Sequence, residues 1–246
     1  MHHAESRIRD VKPMTVTVYL DESGTQGGSS RILVGAIATM NKLELDRLVN
    51  DRKKQVLADR STWADQDEED RARLKNIGFH HAEDSDTVRG KFIETIEGLE
   101  FRAHVCYSGR EIDLPDIDLM ICMYYSVVQN IVRRYANLDV HFVFEENSSL
   151  NRHYGAIVDA AVRNLDQRTP STPRANTTAE IGAKPLPGLS VIDYTLALTE
   201  MYLKVRDGDK TIAPFQKVRI SSIESQIAHI IDFDRAKHRR RFSDLF

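Results

Sequence analysis

Short apolar runs alternate along the chain with longer stretches in which apolar residues recur at helical spacing. Residues 15–20 and 32–40 are apolar runs separated by a polar segment, and they predict two strands paired as an antiparallel hairpin. Residues 101–107 and 140–144 predict two further strands. Because helical stretches separate these strands, the pattern predicts an α/β fold in which helices flank both faces of a mixed β-sheet.

The helical stretches place apolar residues three or four positions apart among charged ones, as amphipathic helices do. Helices are predicted at residues 42–60, 86–99, 116–135, 149–165, 190–205 and 222–231. Residues 166–178 hold two prolines and many Ser, Thr and Asn residues, and this composition predicts a loop. The loop is either an excursion near a site or a connection between elements.

Composition favours a soluble globular protein over a disordered, collagenous or membrane-embedded one, since 41% of the 246 residues are hydrophobic and 29% are charged. No apolar run approaches the roughly 18 residues of a membrane-spanning helix. The first residues lack the apolar core of a secretory signal. We therefore expect a cytoplasmic protein without a membrane partner. Its expected organisation is a flexible segment 1–14, one domain at 15–232 and a basic tail at 233–246.

Two cysteines, Cys106 and Cys122, lie in unrelated apolar contexts. They form no pair of the kind that binds zinc, so we expect two buried thiols and no disulfide framework. The net charge of −3 removes the simplest argument for nucleic-acid binding but permits a local basic face.

Three carboxylates interrupt segments that otherwise build the core. Asp21 directly follows the first predicted strand, Glu145 directly follows the strand at 140–144, and Asp193 lies inside an apolar helix. A charge buried among apolar neighbours is costly unless a cation or hydrogen-bond donors compensate it. Mg²⁺ and Mn²⁺ prefer hard oxygen ligands, so convergence of these three side chains would form a divalent-metal site suited to phosphodiester hydrolysis.

Each carboxylate also has a purely structural interpretation. Asp21 begins an Asp-Glu-Ser-Gly segment typical of turns, in which its side chain would bond the local backbone. Adjacent strand residues face opposite ways, so either Glu145 or Glu146 could point inward. Asp193 could be a buried aspartate bonded to backbone or to arginine. Glu200 lies on the same helix face, where it either assists the site or faces water.

His80 and His81 belong to a compact polar segment at residues 79–84. One of the two is a candidate metal ligand, proton carrier for the leaving group or phosphate contact, although most loop histidines have no such role. A basic cluster near the end of the chain could contact nucleic acid or could be a solvated helix end. Its members are Arg235, Lys237, His238, Arg239, Arg240 and Arg241.

Together, these motifs resemble a known family. Asp21-Glu22-Ser23-Gly24 after the first strand, the carboxylate pair after VHFVF, and Asp193 in LSVIDYTLA are similar to the bacterial domain of unknown function 3800 family. That family is similar to the ribonuclease H-like superfamily, whose members gather acidic residues from a first strand, a central strand and a late helix around divalent metals. The resemblance covers roughly residues 15–205.

The resemblance implies a ribonuclease H-like fold, with Asp21, Glu145 and Asp193 as ligands of Mg²⁺ or Mn²⁺. It favours His80 as an added catalytic residue, because the family often has a histidine near this point. Candidate supporting residues around the ligands are Glu22, Ser23, Glu146 and Glu200. The sequence departs from the pattern in having Glu-Glu where Asp is expected, and in lacking an evident equivalent of the further helix glutamate of ribonuclease H enzymes.

The expected function is therefore that of a divalent-metal-dependent nuclease or related phosphodiester hydrolase acting on nucleic acid. The alternative is a catalytically silent ribonuclease H-like module that binds nucleic acid or a protein partner in a defence or mobile-element system. Hydrolysis of a small phosphate ester is a third reading, since the same ions serve both reactions. Neither a phosphate-binding loop nor a nucleophile elbow is present in the sequence.

Overall fold

The computed structural model describes residues 14–24, 30–63, 68–168, 176–208 and 212–239. Most of the predicted N-terminal segment lies outside the described residues, as do Arg240 and Arg241 of the basic cluster.

Within the described residues, seven strands form one sheet: β1 Thr15–Ser23, β2 Ile32–Thr39, β3 Arg102–Ser108, β4 Asp139–Glu145, β5 Thr177–Gly182, β6 Ile227–Asp232 and β7 Lys237–Arg239. Seven α-helices accompany them within the described ranges: α1 Lys42–Ala58, α2 Glu68–Ile77, α3 Asp86–Glu97, α4 Asp116–Arg134, α5 Asn151–Arg168, α6 Pro187–Arg206 and α7 Pro214–Ser222. None of these helices is long and apolar enough to cross a membrane.

The order of strands across the sheet is β5-β4-β1-β2-β3-β6-β7. β2 runs antiparallel to β1 and β3, and β7 runs antiparallel to β6, while β4 is parallel to β1 and β5, and β3 to β6. The carboxyl ends of β1, β3, β4, β5 and β6 therefore meet along one edge of the sheet. We call this the carboxyl edge.

Two hydrophobic cores lie on opposite faces of the sheet because successive strand side chains point in opposite directions. Tyr19 of β1 belongs to the core beneath α1, α3 and α6, whereas Val18 and Leu20 belong to the core beneath α4 and α5. The prediction of a mixed sheet flanked by helices on both faces is confirmed.

Helix α6 approaches the sheet closely where two glycines replace side chains. A Cβ atom on Gly188 would lie 2.2–2.4 Å from the ring of Tyr19, and one on Gly35 would lie 2.6 Å from a methyl carbon of Leu196. A side chain at either position would force the ring of Tyr19 or the side chain of Leu196 to move. This close packing brings Asp193, in the second turn of α6, near the end of β1.

The sequence prediction is wrong in several elements. Residues 222–231 form the end of α7, a 3-10 turn and strand β6, instead of a helix. Strand β5 and helix α7 were not predicted, and β7 lies within the predicted basic tail. Cys106 is buried as expected, but Cys122 is exposed, and neither forms a disulfide.

The two strand-end acids also lie within strands instead of after them. Pairing between β1 and β2 continues to Ser23 opposite Leu33, so Asp21 and Glu22 belong to β1. Glu145 is the last residue of β4 and pairs with Gly182 of β5. Because ladder hydrogen bonds fix both backbones, the carboxylates project from rigid strands and not from turns.

Candidate carboxylate site

Asp21 and Glu145 lie side by side at the carboxyl edge. The parallel register pairs Leu20 of β1 with Phe144 of β4, so the next residue of each strand comes to the same level. Strand alternation turns Asp21 to the face of Tyr19 and Glu145 to the face of Val143, and both of these residues pack in the core beneath α6. Both carboxylates therefore face α6.

The register between β1 and β4 also shows which of Glu145 and Glu146 lies beside Asp21. The side chain of Glu145 is 17% exposed, whereas Glu146 is an exposed residue beyond the strand whose N–H donates to the carbonyl of Gly182. Of the two adjacent glutamates, the structure brings Glu145 to Asp21.

Asp21 is buried, and burial raises the pKa of its carboxyl group well above the usual value. The nearby charge of Glu145 raises this pKa further, followed by the charges of Glu22 and Asp193, and a hydrogen bond joins the Asp21 and Glu145 side chains. Two carboxylates in this arrangement repel each other unless they share a proton or gain a cation. The ammonium of Lys184 lies 3.7 Å from Glu145 Oε1.

Asp193 completes the acidic group from α6. Its pKa is raised chiefly by burial and also by Glu145 and Asp84, while the charge of His80 and a hydrogen bond from the His81 backbone act in the opposite direction. That hydrogen bond runs from the His81 N–H to Asp193 Oδ2 over 2.6 Å. The three predicted ligands are thus electrostatic neighbours, although they come from two strands and a helix.

His80 lies in a segment between α2 and α3 that we call the histidine loop, residues 79–84. Its Nδ1 atom is buried and has no hydrogen-bond partner among the described residues. The adjacent His81 has its pKa lowered to about 4, first by burial and then by the charge of Arg89. The structure therefore places, beside Asp193, an imidazole nitrogen that no other described residue hydrogen-bonds.

Glu22 points to the opposite face of the sheet. Its carboxylate accepts hydrogen bonds from the Tyr124 hydroxyl and from the side-chain amide of Asn147. Burial is the main reason that the pKa of Glu22 is raised, with these two donors opposing it. Through Asn147, Glu22 ties the end of β1 to the segment that follows Glu145.

Two other predicted supporting residues have ordinary surroundings. Glu200 forms an ion pair with Lys204, one helical turn further along α6, at 3.0 Å. Ser23 is the half-buried last residue of β1 and is paired through its backbone with Leu33.

The described part of the basic cluster is remote from the acids. Lys237, His238 and Arg239 lie on β7, four strands from β1, which at the usual strand spacing of about 4.8 Å is roughly 20 Å away. Arg235 is ion-paired with Glu111 at 2.7 Å. The structure does not bring these residues to the carboxylates.

Sequence reasoning missed Asp84, whose side chain is fully buried. It forms an ion pair with Arg73, and its Oδ2 accepts hydrogen bonds from the Tyr194 hydroxyl at 2.5 Å and from the His80 N–H at 2.9 Å. The available signal was an acid four residues after His80. Lys184 was also missed, since a single lysine before Pro185 has no distinctive pattern.

The donor set suits a hard divalent cation, because Asp21, Glu145 and Asp193 supply only carboxylate oxygens. Within the described ranges, however, no group of three or more His, Cys, Asp and Glu side chains is arranged so that it could hold a metal ion. The chemistry of the residues fits such an ion, while their side-chain arrangement does not enclose one.

Searches against known proteins give similarities of fold only. No family model matches the chain, and no curated protein matches it. Similar solved structures include ribonuclease H2 from Pyrococcus horikoshii OT3, at 12% identity over 79% of this chain and 78% of that one, with a TM-score of 0.45. A mutant of Bst-RNase HIII has 12% identity over 79% of this chain and 56% of its own, with a TM-score of 0.42.

Bst-RNase HIII in complex with Mn²⁺ is similar at 12% identity over 87% of this chain and 64% of that one, with a TM-score of 0.43. This chain thus spans less than two thirds of the two RNase HIII chains. The resemblance to the domain of unknown function 3800 family stays a prediction.

Proposed function

We propose that this protein is a divalent-metal-dependent nuclease or related phosphodiester hydrolase, with Asp21, Glu145 and Asp193 as ligands of Mg²⁺ or Mn²⁺. The observation that carries the proposal is the buried contact between Asp21 and Glu145, with Asp193 as their electrostatic neighbour. Nucleic acid as the substrate and a bacterial ribonuclease H-like domain come from the family resemblance. That this is a single domain at residues 15–232, in a cytoplasmic protein, rests on the length and composition of the sequence.

A cation is the simplest compensation for this acidic group. Asp21 holds its proton to unusually high pH because its carboxyl is buried against other acids. A divalent ion that displaced this proton would relieve the repulsion and use the same oxygens. When bound, such an ion lowers the pKa of a water molecule and stabilises charge on a phosphate and its leaving oxygen.

The strands and the histidine loop hold the three proposed ligands in position. Strands β1 and β4 fix Asp21 and Glu145, and the His81 N–H orients the carboxylate of Asp193. We assign His80 the transfer of a proton to the leaving oxygen, since its buried Nδ1 beside Asp193 is free of other hydrogen bonds among the described residues.

A specific observation also favours a second function. The described acids do not form a ready metal-binding group, as expected for a catalytically silent module that binds nucleic acid or a protein. In that case the contact between Asp21 and Glu145 would remain a proton-sharing pair.

Calorimetric titration with Mn²⁺ separates the two functions. We expect the wild-type protein to bind Mn²⁺, and Asp21→Asn, Glu145→Gln and Asp193→Asn to lose this binding while keeping their circular dichroism spectra. Glu146→Gln is the matched control, because it changes an exposed neighbour of Glu145 and should bind as the wild type does.

The same set of proteins is then incubated with labelled single-stranded and double-stranded DNA and RNA in Mg²⁺ or Mn²⁺. Cleavage by wild type and Glu146→Gln alone would support the proposal. Unchanged Mn²⁺ binding in all three ligand variants, or cleavage that survives in them, would rule out this site. Absence of both metal binding and cleavage in the wild type would favour the silent module.

A further inference from the structure

The histidine loop is held by a buried ionic network that none of the proposed metal ligands belongs to. Asp84 lies at its centre, forming an ion pair with Arg73 of α2 and accepting hydrogen bonds from the Tyr194 hydroxyl of α6 and the His80 N–H. A single side chain therefore connects α2, α6 and the loop. A buried carboxylate is costly to desolvate, and these donors compensate it fully only when all three elements are in place.

This network lies directly beside the carboxylate site. The His81 N–H donates to Asp193, and the two residues that donate to Asp84 are their chain neighbours. His80 precedes His81 in the loop, and Tyr194 follows Asp193 on α6. The Asp84 N–H also closes the loop by donating to the His80 carbonyl at 2.9 Å. The Arg89 guanidinium supports the loop from outside by donating to the His81 carbonyl at 2.7 Å.

Aromatic packing restricts the loop further. The rings of Phe79 and Phe92 are stacked at 3.9 Å, and Tyr194 meets both Phe92 and His81 edge to face. Rotation of Tyr194 is thus restricted by packing, and its hydroxyl has one defined direction, towards Asp84.

We infer that Asp84 is a positioning residue, which fixes the histidine loop on α6 so that the His81 N–H and the His80 imidazole reach Asp193. This inference rests on the proposed function for its catalytic consequence, while its structural claim concerns the His81 to Asp193 hydrogen bond alone. Removing a residue that orients a metal ligand through hydrogen bonds typically lowers metal affinity by about tenfold to a hundredfold.

The chain offers a matched control at the same edge of the sheet. Asp232 of β6 is buried and accepts a hydrogen bond from the Tyr107 hydroxyl at 2.7 Å, and Tyr107 in turn accepts one from Arg206 at 2.8 Å. This network also joins an aspartate, a tyrosine and an arginine, but none of its hydrogen bonds among the described residues reaches the histidine loop. A purely structural role would make the two networks equivalent.

The test compares Asp84→Ala, Asp84→Asn and Tyr194→Phe with Asp232→Ala and Tyr107→Phe. The decisive readout is the ¹H–¹⁵N resonance of the His81 amide in the metal-free protein, because a short hydrogen bond to a carboxylate shifts this proton downfield. Thermal unfolding and Mn²⁺ titration accompany it. Tyr194→Phe removes only one hydroxyl and keeps the protein assessable if Asp84→Ala does not fold.

We expect the His81 amide to move upfield in Asp84→Ala and, by less, in Tyr194→Phe, and Mn²⁺ affinity to fall by about tenfold or more in Asp84→Ala. Asp84→Asn keeps one acceptor oxygen and should retain part of both signals. The control variants should lower the melting temperature without moving the His81 resonance.

An unmoved His81 resonance in both Asp84→Ala and Tyr194→Phe, or an equal shift in the Asp232 and Tyr107 variants, would overturn the inference. Should wild type fail to bind Mn²⁺, the proposed function would fail, and the amide resonance would still decide whether Asp84 positions the loop.

Discussion

Asp21 and Glu22 are neighbours in the chain with opposite surroundings. Alternation along β1 sends Asp21 towards α6, where its carboxyl meets other acids, and sends Glu22 towards α4, where two neutral donors satisfy it. Of these two adjacent acids, Asp21 is thus a candidate ligand on one face of the sheet, and Glu22 is hydrogen-bonded to Asn147 on the other. The same geometry explains why neither residue can replace the other.

Much of the candidate site could be predicted at the level of single residues, because an acid that interrupts an apolar segment needs a partner. That reasoning selected Asp21, Glu145 and Asp193, and the structure places them as electrostatic neighbours. It could not choose between Glu145 and Glu146, since the choice depends on the register between β1 and β4. Asp84 was missed because its partners come from α2 and α6.

A buried histidine outside the site should make the protein sensitive to acid. His104 of β3 is 1% exposed, and burial, together with the charge of His229, lowers its pKa from 6.5 to about 3. Between pH 3 and pH 6.5, the unfolded chain therefore binds a proton at His104 that the folded protein does not bind. The stability due to neutral His104 is present above pH 6.5 and is lost as pH falls towards 3.

We expect His104→Leu to lose less stability than the wild type on acidification, with a difference that grows by up to about 1.4 kcal/mol per pH unit below pH 6. Urea unfolding of both proteins at pH 7, 6 and 5 measures this difference. His153→Leu, a change at a less buried histidine, serves as the control. Parallel stability curves for wild type and His104→Leu would show that His104 is not responsible.

At the level of elements, α6 matters most, since it carries Asp193 and crosses the sheet above β1 and β2. Its approach depends on Gly188, where an added Cβ would meet the Tyr19 ring at 2.2–2.4 Å. An aromatic ring buried in the core cannot move aside cheaply. Gly188→Ala should therefore destabilise the fold by about 1–3 kcal/mol through overpacking.

At Gly155 of α5, we expect substitution by alanine to stabilise the protein, in contrast to Gly188. An added Cβ there meets nothing within 4 Å, so Gly155→Ala should stabilise the helix by about 0.5–1 kcal/mol. Urea unfolding of the two variants beside the wild type checks both signs at once. Equal effects of the two alanines would contradict the close packing of α6 on Tyr19.

The elements that were predicted wrongly fail for a physical reason. In residues 222–231 the isoleucines recur at helical spacing, yet Ile227–Asp232 form β6 because its backbone pairs with β3. Strand β5 is polar and largely exposed, so it has no apolar alternation and owes its strand conformation to pairing with β4. Long helices such as α4 were predicted well, since their periodicity is local.

For the whole molecule, charge distribution sets the conditions for binding nucleic acid. The chain has a net charge of −3, and its candidate site is a cluster of acids at the carboxyl edge. Two described arginines near this edge are paired with acids, Arg110 with Asp116 at 2.7 Å and Arg235 with Glu111 at 2.7 Å. A phosphate backbone would meet repulsion at the site unless a cation intervenes.

Under the proposed function, we therefore expect a fluorescent oligonucleotide to bind at least about tenfold more tightly with Ca²⁺ or Mn²⁺ than with EDTA at the same ionic strength. The dependence of affinity on salt should be shallow, because each neutralised phosphate adds only about one unit of slope and both Arg110 and Arg235 at this edge are already paired with acids. Fluorescence anisotropy measures both quantities.

Asp21→Asn should abolish the gain in affinity from the divalent ion, whereas Glu146→Gln should keep it. Tight binding in EDTA with a steep salt dependence would instead locate the contact on basic residues, as expected of a silent module that binds nucleic acid, and would leave the acids without a part in recognition.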